Sequence, residues 1–112
     1  MPFHAFKTFG PYTISAGGSQ ELDWDADDDY IIKRIYVVDQ DSLPLEKLTI
    51  TLFVEQTTYT KDLVPCSVLG GNVLTAPELS IEIRKAQKFK ATIKNHDTQS
   101  RTVYLVLELW KA

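Results

Sequence analysis

Apolar and polar residues alternate with a period of two along most of this chain. The clearest case is segment 48–54, LTITLFV, and the same pattern recurs at 79–84, 88–94 and 102–110. Successive side chains of a β-strand point to opposite faces, so this alternation indicates strands with one buried face. No window of helical length shows a sustained period of 3.6, and we therefore expect almost no helix.

Clusters of Gly, Pro, Asn, Asp and Ser separate the alternating segments, and these residues favour turns. Many short strands joined by such turns predict an antiparallel sandwich or barrel in a single domain spanning residues 1–112. Periodicity does not report long-range pairing, so jelly-roll and immunoglobulin-like strand orders both stay open. We predict roughly eight strands, at about 2–9, 12–15 or 19–26, 30–38, 47–55, 58–63, 78–84, 87–95 and 101–110.

The composition is that of an ordinary globular protein. The chain has 112 residues, 44% hydrophobic and 24% charged, with a net charge of −3. This mild acidity argues against broad nucleic-acid binding, which needs a dense cationic face. No apolar run approaches the roughly 20 residues that span a bilayer, and the N-terminus does not resemble an export signal. We expect a solvated face to carry the cations Arg34, Lys88, Lys90 and Lys94.

The stretch ELDWDADDDYIIK places five aspartates within seven positions. Asp23, Asp25 and Asp27 have the spacing that opens an EF-hand loop, but the sixth position is Asp28 and the twelfth is Arg34, so an EF-hand is excluded. The favoured interpretation is a strand with one wet face that ends in an aspartate-rich turn. A weak divalent-cation site and a catalytic carboxylate pair remain as alternatives.

Other residues with catalytic or metal-binding chemistry are few. His4 and His96 are the only histidines, and Cys66 is the only thiol and cannot close an internal disulfide. Neither a blue-copper set nor a cupin set can be built from them, and no nucleotide-binding, zinc-protease or hydrolase motif occurs. A dyad of Cys66 with a histidine would need a third orienting group and a pocket. We therefore predict a non-enzymatic protein without a cofactor.

Two regions hold more apolar residues than one sandwich requires. The connection 64–77, VPCSVLGGNVLTAP, is long and apolar, and it would cover an open end of the sandwich, pack against a neighbouring subunit or form a ligand lid. The last strand is apolar on both faces, which indicates that its outer face is buried, either by another part of the chain or by another subunit. The interface candidates are Val68, Leu69, Val73, Leu74, Tyr104, Val106 and Trp110.

The end of the chain, RKAQKFKATIKNHDTQSRTVYLVLELWKA, combines a charged strand, a short polar turn and a long apolar strand. This layout resembles the terminal hairpin of single jelly-roll minor capsid, decoration (cement) or vertex proteins of double-stranded DNA viruses and tailed phages. The resemblance implies a jelly roll that self-associates, packs against a capsid or shell protein and resides in the virion, assembled in the host cytoplasm. The alternative function is a carbohydrate-binding β-sandwich module, calcium-assisted through the aspartates, with exposed aromatic residues that stack on sugars.

Overall fold

A computed structural model describes residues 3–55, 57–58, 64–66 and 76–112. Within this part the chain is all β, with no α-helix and no helix that is long and apolar enough to cross a membrane. The predicted all-β class is confirmed. The strands are β1 (Phe3–Ile14), β2 (Ser19–Asp25), β3 (Tyr30–Asp39), β4 (Leu48–Val54), β5 (Thr57–Thr58), β6 (Val64–Pro65), β7 (Ile81–Ile83), β8 (Lys88–Asn95) and β9 (Arg101–Lys111).

The strands form two antiparallel sheets, and the chain crosses repeatedly between them. One sheet has the order β1-β9-β3-β7, and the other has the order β2-β8-β4-β5, with β6 also paired to β4. Thus β9 lies between the first and third strands, and β8 lies between the second and fourth. Two interleaved Greek keys of this kind make a jelly roll, so the structure confirms the jelly-roll order over the immunoglobulin-like one.

The core is built from the inward positions of both sheets. Alternate residues of β4, β8 and β9 face inward, as their period of two predicts, and the same pattern continues in β3. Burial of these side chains is the main source of stability, at roughly 1.5–3 kcal/mol for each large apolar side chain. The residues without solvent exposure include Ile32, Ile35, Val37, Leu48, Ile50, Phe89, Ile93, Val103, Leu105 and Leu107.

The first strand differs from its prediction. A break was expected at Gly10–Pro11, but β1 continues through this dipeptide, with only an irregularity in its pairing to β9 between Phe9 and Tyr12. Pro11 is tolerated because β1 is an edge strand, where a missing N–H costs no ladder bond. Gly10 has φ 111°, and a Cβ there would lie 2.9 Å from the carbonyl oxygen of Val103. Glycine therefore permits the close approach of the two strands.

One other predicted strand is shorter than expected, and a second lies mostly outside the described residues. The segment 78–84 contributes only Ile81–Ile83, because its pairing partner on β3 is limited to Tyr30–Ile32. Only Thr58 of the predicted strand 58–63 is described, because residues 59–63 lie outside the described residues. On either side of that gap, Thr57–Thr58 and Val64–Pro65 pair with β4.

The turn between β8 and β9 is anchored by a buried asparagine. The side-chain amide of Asn95 donates to the carbonyl oxygens of Ile14 at 3.0 Å and Gln99 at 2.9 Å. Its side-chain oxygen accepts the backbone N–H of Asp97 at 2.8 Å. Asn95 therefore fixes the last hairpin and ties it to the end of β1, which explains why a polar residue occupies a position with no solvent exposure.

A buried arginine closes the same end of the sandwich. Arg101 is 1% exposed, and its Nε donates to the Asp39 carboxylate at 2.7 Å. One Nη donates to Asp97 at 3.2 Å and the other to the carbonyl oxygen of Pro44 at 2.7 Å. Asp39 also accepts the backbone N–H groups of Asp41 and Leu43. The guanidinium thus joins the β3–β4 connection to the β8–β9 turn through satisfied polar groups.

Candidate interaction surface

The outward faces of the two sheets differ in character. The five-stranded sheet presents a charged face on which the cations of β8 lie beside the carboxylates of β2. This confirms that the lysines of β8 face solvent. Salt screens contacts between such exposed charges, and each contributes little to stability. The charged residues of this face are Glu21, Asp23, Asp25, Lys88, Lys90 and Lys94.

The four-stranded sheet has an apolar outward face, and its middle is covered by the chain itself. Tyr36, Val106 and Ala76 form a buried cluster separate from the core, with Val38 packed against it. Burial, aided by the nearby Glu108 carboxylate, raises the pKa of Tyr36. Because Ala76 belongs to the long connection 64–77 predicted from sequence, this part of the last strand is packed intramolecularly, one of the two alternatives left open.

An ion pair lies beside that cluster on the same face. Glu108 is buried, and its Oε2 accepts hydrogen bonds from Arg34 Nη1 at 2.8 Å and from Trp110 Nε1 at 2.9 Å. The prediction that Arg34 belongs to a solvated lysine face is therefore wrong. An irregularity of β3 after Ile32 brings Arg34 opposite Glu108, on the apolar sheet. The Arg34 Nε is buried without a hydrogen-bond partner in the described structure.

Two phenylalanines at the start of β1 extend this outward face, and both remain exposed to solvent. Phe3 is 49% exposed and Phe6 is 50% exposed, and they are the large hydrophobic residues that stay exposed in the described part of the chain. Their ring centroids are 5.1 Å apart. Phe3 lies opposite Trp110 and Phe6 opposite Glu108 on β9, so both belong to the outward face. We call Phe3, Phe6 and Trp110 the aromatic edge.

Sequence reasoning missed the two phenylalanines of the aromatic edge. Strict alternation places Phe3 and Phe6 on opposite sides of a strand, because they are three positions apart. The pairing of β1 with β9 shifts between Phe3 and Ala5, which returns both rings to one side. The FHAF spacing alone does not reveal such a shift.

The predicted interface residues divide into two groups. Tyr104, Val106 and Trp110 share the outward face of β9, on which Val106 is buried and the other two are half-buried. Val68, Leu69, Val73 and Leu74 lie outside the described residues. A subunit contact through either group stays a prediction.

The aspartate-rich stretch forms the end of β2 and the turn into β3. Asp23 and Asp25 lie 4.0 and 3.9 Å from Lys88 Nζ, on the exposed charged face. Asp27 instead accepts a hydrogen bond from the Tyr30 hydroxyl at 2.8 Å. The described residues contain no group of three or more His, Cys, Asp or Glu side chains arranged to hold a metal ion. The three weak candidates Asp23, Asp25 and Asp27 are thus not brought together.

The remaining carboxylates of that turn contact β9 and the β7–β8 connection. Asp28 accepts a hydrogen bond from Lys111 and another from the backbone N–H of Asp29, and both lower its pKa. Asp29 accepts the backbone N–H of Lys85 at 2.8 Å. Burial, together with the hydrogen bond to Asp27, raises the pKa of Tyr30 to about 12. The hydrogen bonds of this turn therefore connect it to β9 and to the β7–β8 connection.

The thiol and the two histidines are not brought together by any hydrogen bond among the described residues. His96 Nε2 lies 3.0 Å from Thr49 Oγ1, and the His4 ring lies 5.4 Å from the Tyr30 ring. Cys66 is fully buried, and burial raises its pKa to about 12. A nucleophilic cysteine needs an accessible thiolate, and this environment opposes its formation.

Cys66 is expected to resist thiol reagents in the folded protein. At pH 8, a pKa of about 12 instead of 9.0 lowers the thiolate fraction by roughly a thousandfold, and burial blocks access as well. Labelling with a chromogenic disulfide reagent should be negligible in buffer and complete in denaturant. Rapid stoichiometric labelling of the folded chain would contradict the described burial.

A broad groove of about 650 Å³ lies on the charged side of the molecule. Glu21, Asp23, Phe53, Glu55 and Lys90 are among the residues that line it, and no histidine or cysteine does. Glu55 already accepts the backbone N–H of Lys88 at 2.7 Å, and Asp23 lies near the Lys88 ammonium. The groove thus combines exposed charges with two aromatic rings, those of Tyr12 and Phe53, without a nucleophile held next to a base.

Comparison with known proteins provides no family for this chain. No family model matches, and no curated protein matches. Among solved structures, the Drosophila NLP core, a nucleoplasmin core, covers 96% of this chain and 100% of its own at 14% identity and a TM-score of 0.43. That structure is described in terms of pentamer formation and histone binding. At this identity and score, the similarity is limited to the outline of a β-sandwich.

The comparison corrects the function expected from sequence. The solved structure reported above is described by pentamer formation and histone binding, and not as a virion protein or a sugar-binding module. The predicted viral structural protein, its capsid or shell partner, its virion location and the carbohydrate-binding alternative are therefore set aside. The terminal hairpin that suggested them reports the jelly-roll layout, which unrelated functions share.

Proposed function

We propose that this chain is a non-catalytic assembly module that binds further copies of itself through the aromatic edge. The exposure of Phe3 and Phe6, next to the half-buried Trp110, is the observation that carries the proposal. Aromatic residues are enriched at protein interfaces because they bury large areas at a small cost in conformational entropy. The absence of charge on these three side chains favours a protein contact over a nucleic-acid contact, which requires cations.

The remaining chemistry of the described chain supports a binding role over catalysis. The thiol is buried with a raised pKa, and the histidines take part in separate structural contacts. The carboxylates of the 23–29 stretch contact lysines, a tyrosine hydroxyl and backbone N–H groups. These groups contribute to packing and turn structure. Among the described residues, the aromatic edge is therefore the surface on which large apolar side chains stay about half exposed.

Replacing both Phe3 and Phe6 by serine is expected to weaken self-association. Loss of a central aromatic contact typically costs about 2 kcal/mol or more, which corresponds to at least about a thirtyfold rise in the dissociation constant. Sedimentation or light scattering over a range of concentrations measures it. Phe53→Ser, on the outward face of the other sheet, is the matched control and should leave association unchanged. A wild-type chain that is monomeric at all concentrations would refute the proposed function.

A further inference from the structure

We infer that β1 pairs with β1 of a second copy across a two-fold axis, so that the two four-stranded sheets join into one continuous sheet. This inference rests on the proposed self-association and specifies its geometry. In the order β1-β9-β3-β7, β1 is an edge strand, and no strand of the described chain lies on its free side. An edge strand presents unpaired N–H and C=O groups, which form a ready template for another strand.

The other sheet edges carry the features that normally prevent such pairing. Short strands and repelling charges are the usual means of protecting an edge. Within the described residues, β7 spans three residues, and β5 and β6 span two each. β2 is longer, but it exposes Glu21, Asp23 and Asp25, which would repel the same carboxylates of a second copy. These edges are therefore poor sites for self-pairing.

β1 differs from those edges in length and in charge. It has twelve residues, the longest strand in the described chain, and its outward side chains between Phe3 and Thr8 carry no charge. Its one cation, Lys7, lies opposite the buried Leu107 and so points to the core side, where its Nζ lies 5.3 Å from the Phe9 ring centroid. The exposed Phe3 and Phe6 lie on this same strand. The part of this edge that precedes Pro11 and presents no outward charge therefore coincides with the exposed aromatic pair.

A second copy fits this edge because β1 contains no carboxylate that would repel its own copy, and the one lysine, Lys7, restricts the register. In a two-fold antiparallel pair, opposed residues share a face, so one residue must face its own copy across the axis. An axis at Lys7 would oppose two ammonium groups, which is destabilising. An axis at Phe6 places Lys7 opposite the small Ala5 of the partner and stacks the two Phe6 rings. Pro11 lacks an N–H and confines the pairing to the stretch before Gly10.

Cysteine cross-linking tests this register. With the axis at Phe6, a Phe6→Cys variant places its two thiols on directly opposed residues, within disulfide reach. In a Thr8→Cys control the two cysteines are offset by about 13 Å along the strand. Both variants are oxidised at a concentration at which sedimentation shows that each still associates, because loss of the Phe6 ring weakens self-association. Mild oxidation should cross-link Phe6→Cys at least about fivefold faster than Thr8→Cys, and the buried Cys66 should add no background. Equal cross-linking of both, or preferential cross-linking of Thr51→Cys on the other sheet, would overturn the inference.

Hydrogen exchange of the unmodified chain gives an independent test. When the protein is concentrated enough to associate, backbone amides on the free side of residues 5–9 should exchange at least about tenfold more slowly than in dilute solution. A contact made by the phenylalanine rings alone would associate without this protection, which would refute the strand pairing but leave the proposed function intact. A chain that never associates would instead refute the proposed function.

Discussion

Replacement of Arg101 by methionine is expected to lower the free energy of unfolding by about 3–5 kcal/mol, because it leaves the buried Asp39 carboxylate without its counter-charge. The side chains of Arg101 and Asp39 are 1% and 2% exposed, so water cannot replace the lost partner. The substitution also removes the hydrogen bonds to Asp97 and to the Pro44 carbonyl. Urea unfolding, followed at one fixed protein concentration, measures the change.

Two further variants separate the buried ion pair from a general effect of charge. Arg84 is exposed, and Arg84→Met should change stability by no more than about 0.5 kcal/mol. In the double variant Arg101→Met with Asp39→Asn, no buried charge remains uncompensated, while the amide oxygen can still accept the N–H groups of Asp41 and Leu43. This double variant should therefore be more stable than Arg101→Met alone. Equal losses for Arg84→Met and Arg101→Met would show that the network contributes nothing.

The sequence predicted the regular strands well because one physical cause dominates them. A strand between a core and solvent must alternate, and β4 and β8 do so at every position, whereas β9 is buried on both faces from Leu105 to Leu109. The strand order was not readable from periodicity, since it depends on pairing between distant segments. The resemblance of the terminal hairpin supplied the jelly-roll order, which the structure confirms.

Buried polar residues were the main failure of the sequence analysis. The sequence predicts a short polar turn at NHDTQSR, between the last two strands, but the first and last residues of this stretch, Asn95 and Arg101, are buried. Polarity alone does not distinguish a solvated turn from a turn whose side chains satisfy buried backbone groups. The same limit applies to Arg34, since only its pairing opposite Glu108 reveals that it belongs to the apolar sheet.

The sequence predicted only part of the candidate interaction surface, because part of that surface depends on strand pairing. The outward apolar residues of β9 indicated an unusual face, and Tyr104, Val106 and Trp110 do share it. The exposed pair Phe3 and Phe6 depends on a shift in strand pairing, which sequence spacing does not encode in a readable way. The middle of the face is covered by Ala76, so the exposed part is its β1 edge. The contact proposed above therefore lies at the edge of the sheet, whereas the contact predicted from sequence on β9 is nearer its centre.

Replacement of Phe89 by alanine is expected to lower the free energy of unfolding by about 3–5 kcal/mol, because it leaves a cavity between the two sheets. Phe89 has no solvent exposure and lies in β8, inside the five-stranded sheet. Its ring stacks on Phe9 of the opposite sheet, with the centroids 6.2 Å apart. The substitution therefore also removes a packing contact between the two sheets. The expected size exceeds that for any single contact on the outward faces.

Two phenylalanines elsewhere in the chain provide matched controls for this cavity. Phe53→Ala removes a half-buried ring from the outward face of the same sheet and should cost about 1 kcal/mol. Phe6→Ala removes a half-exposed ring and should change the stability of the monomer by no more than about 0.5 kcal/mol while it weakens self-association. If Phe6→Ala instead destabilised the monomer as much as Phe89→Ala, its ring would belong to the core, and the aromatic edge would not be a free surface.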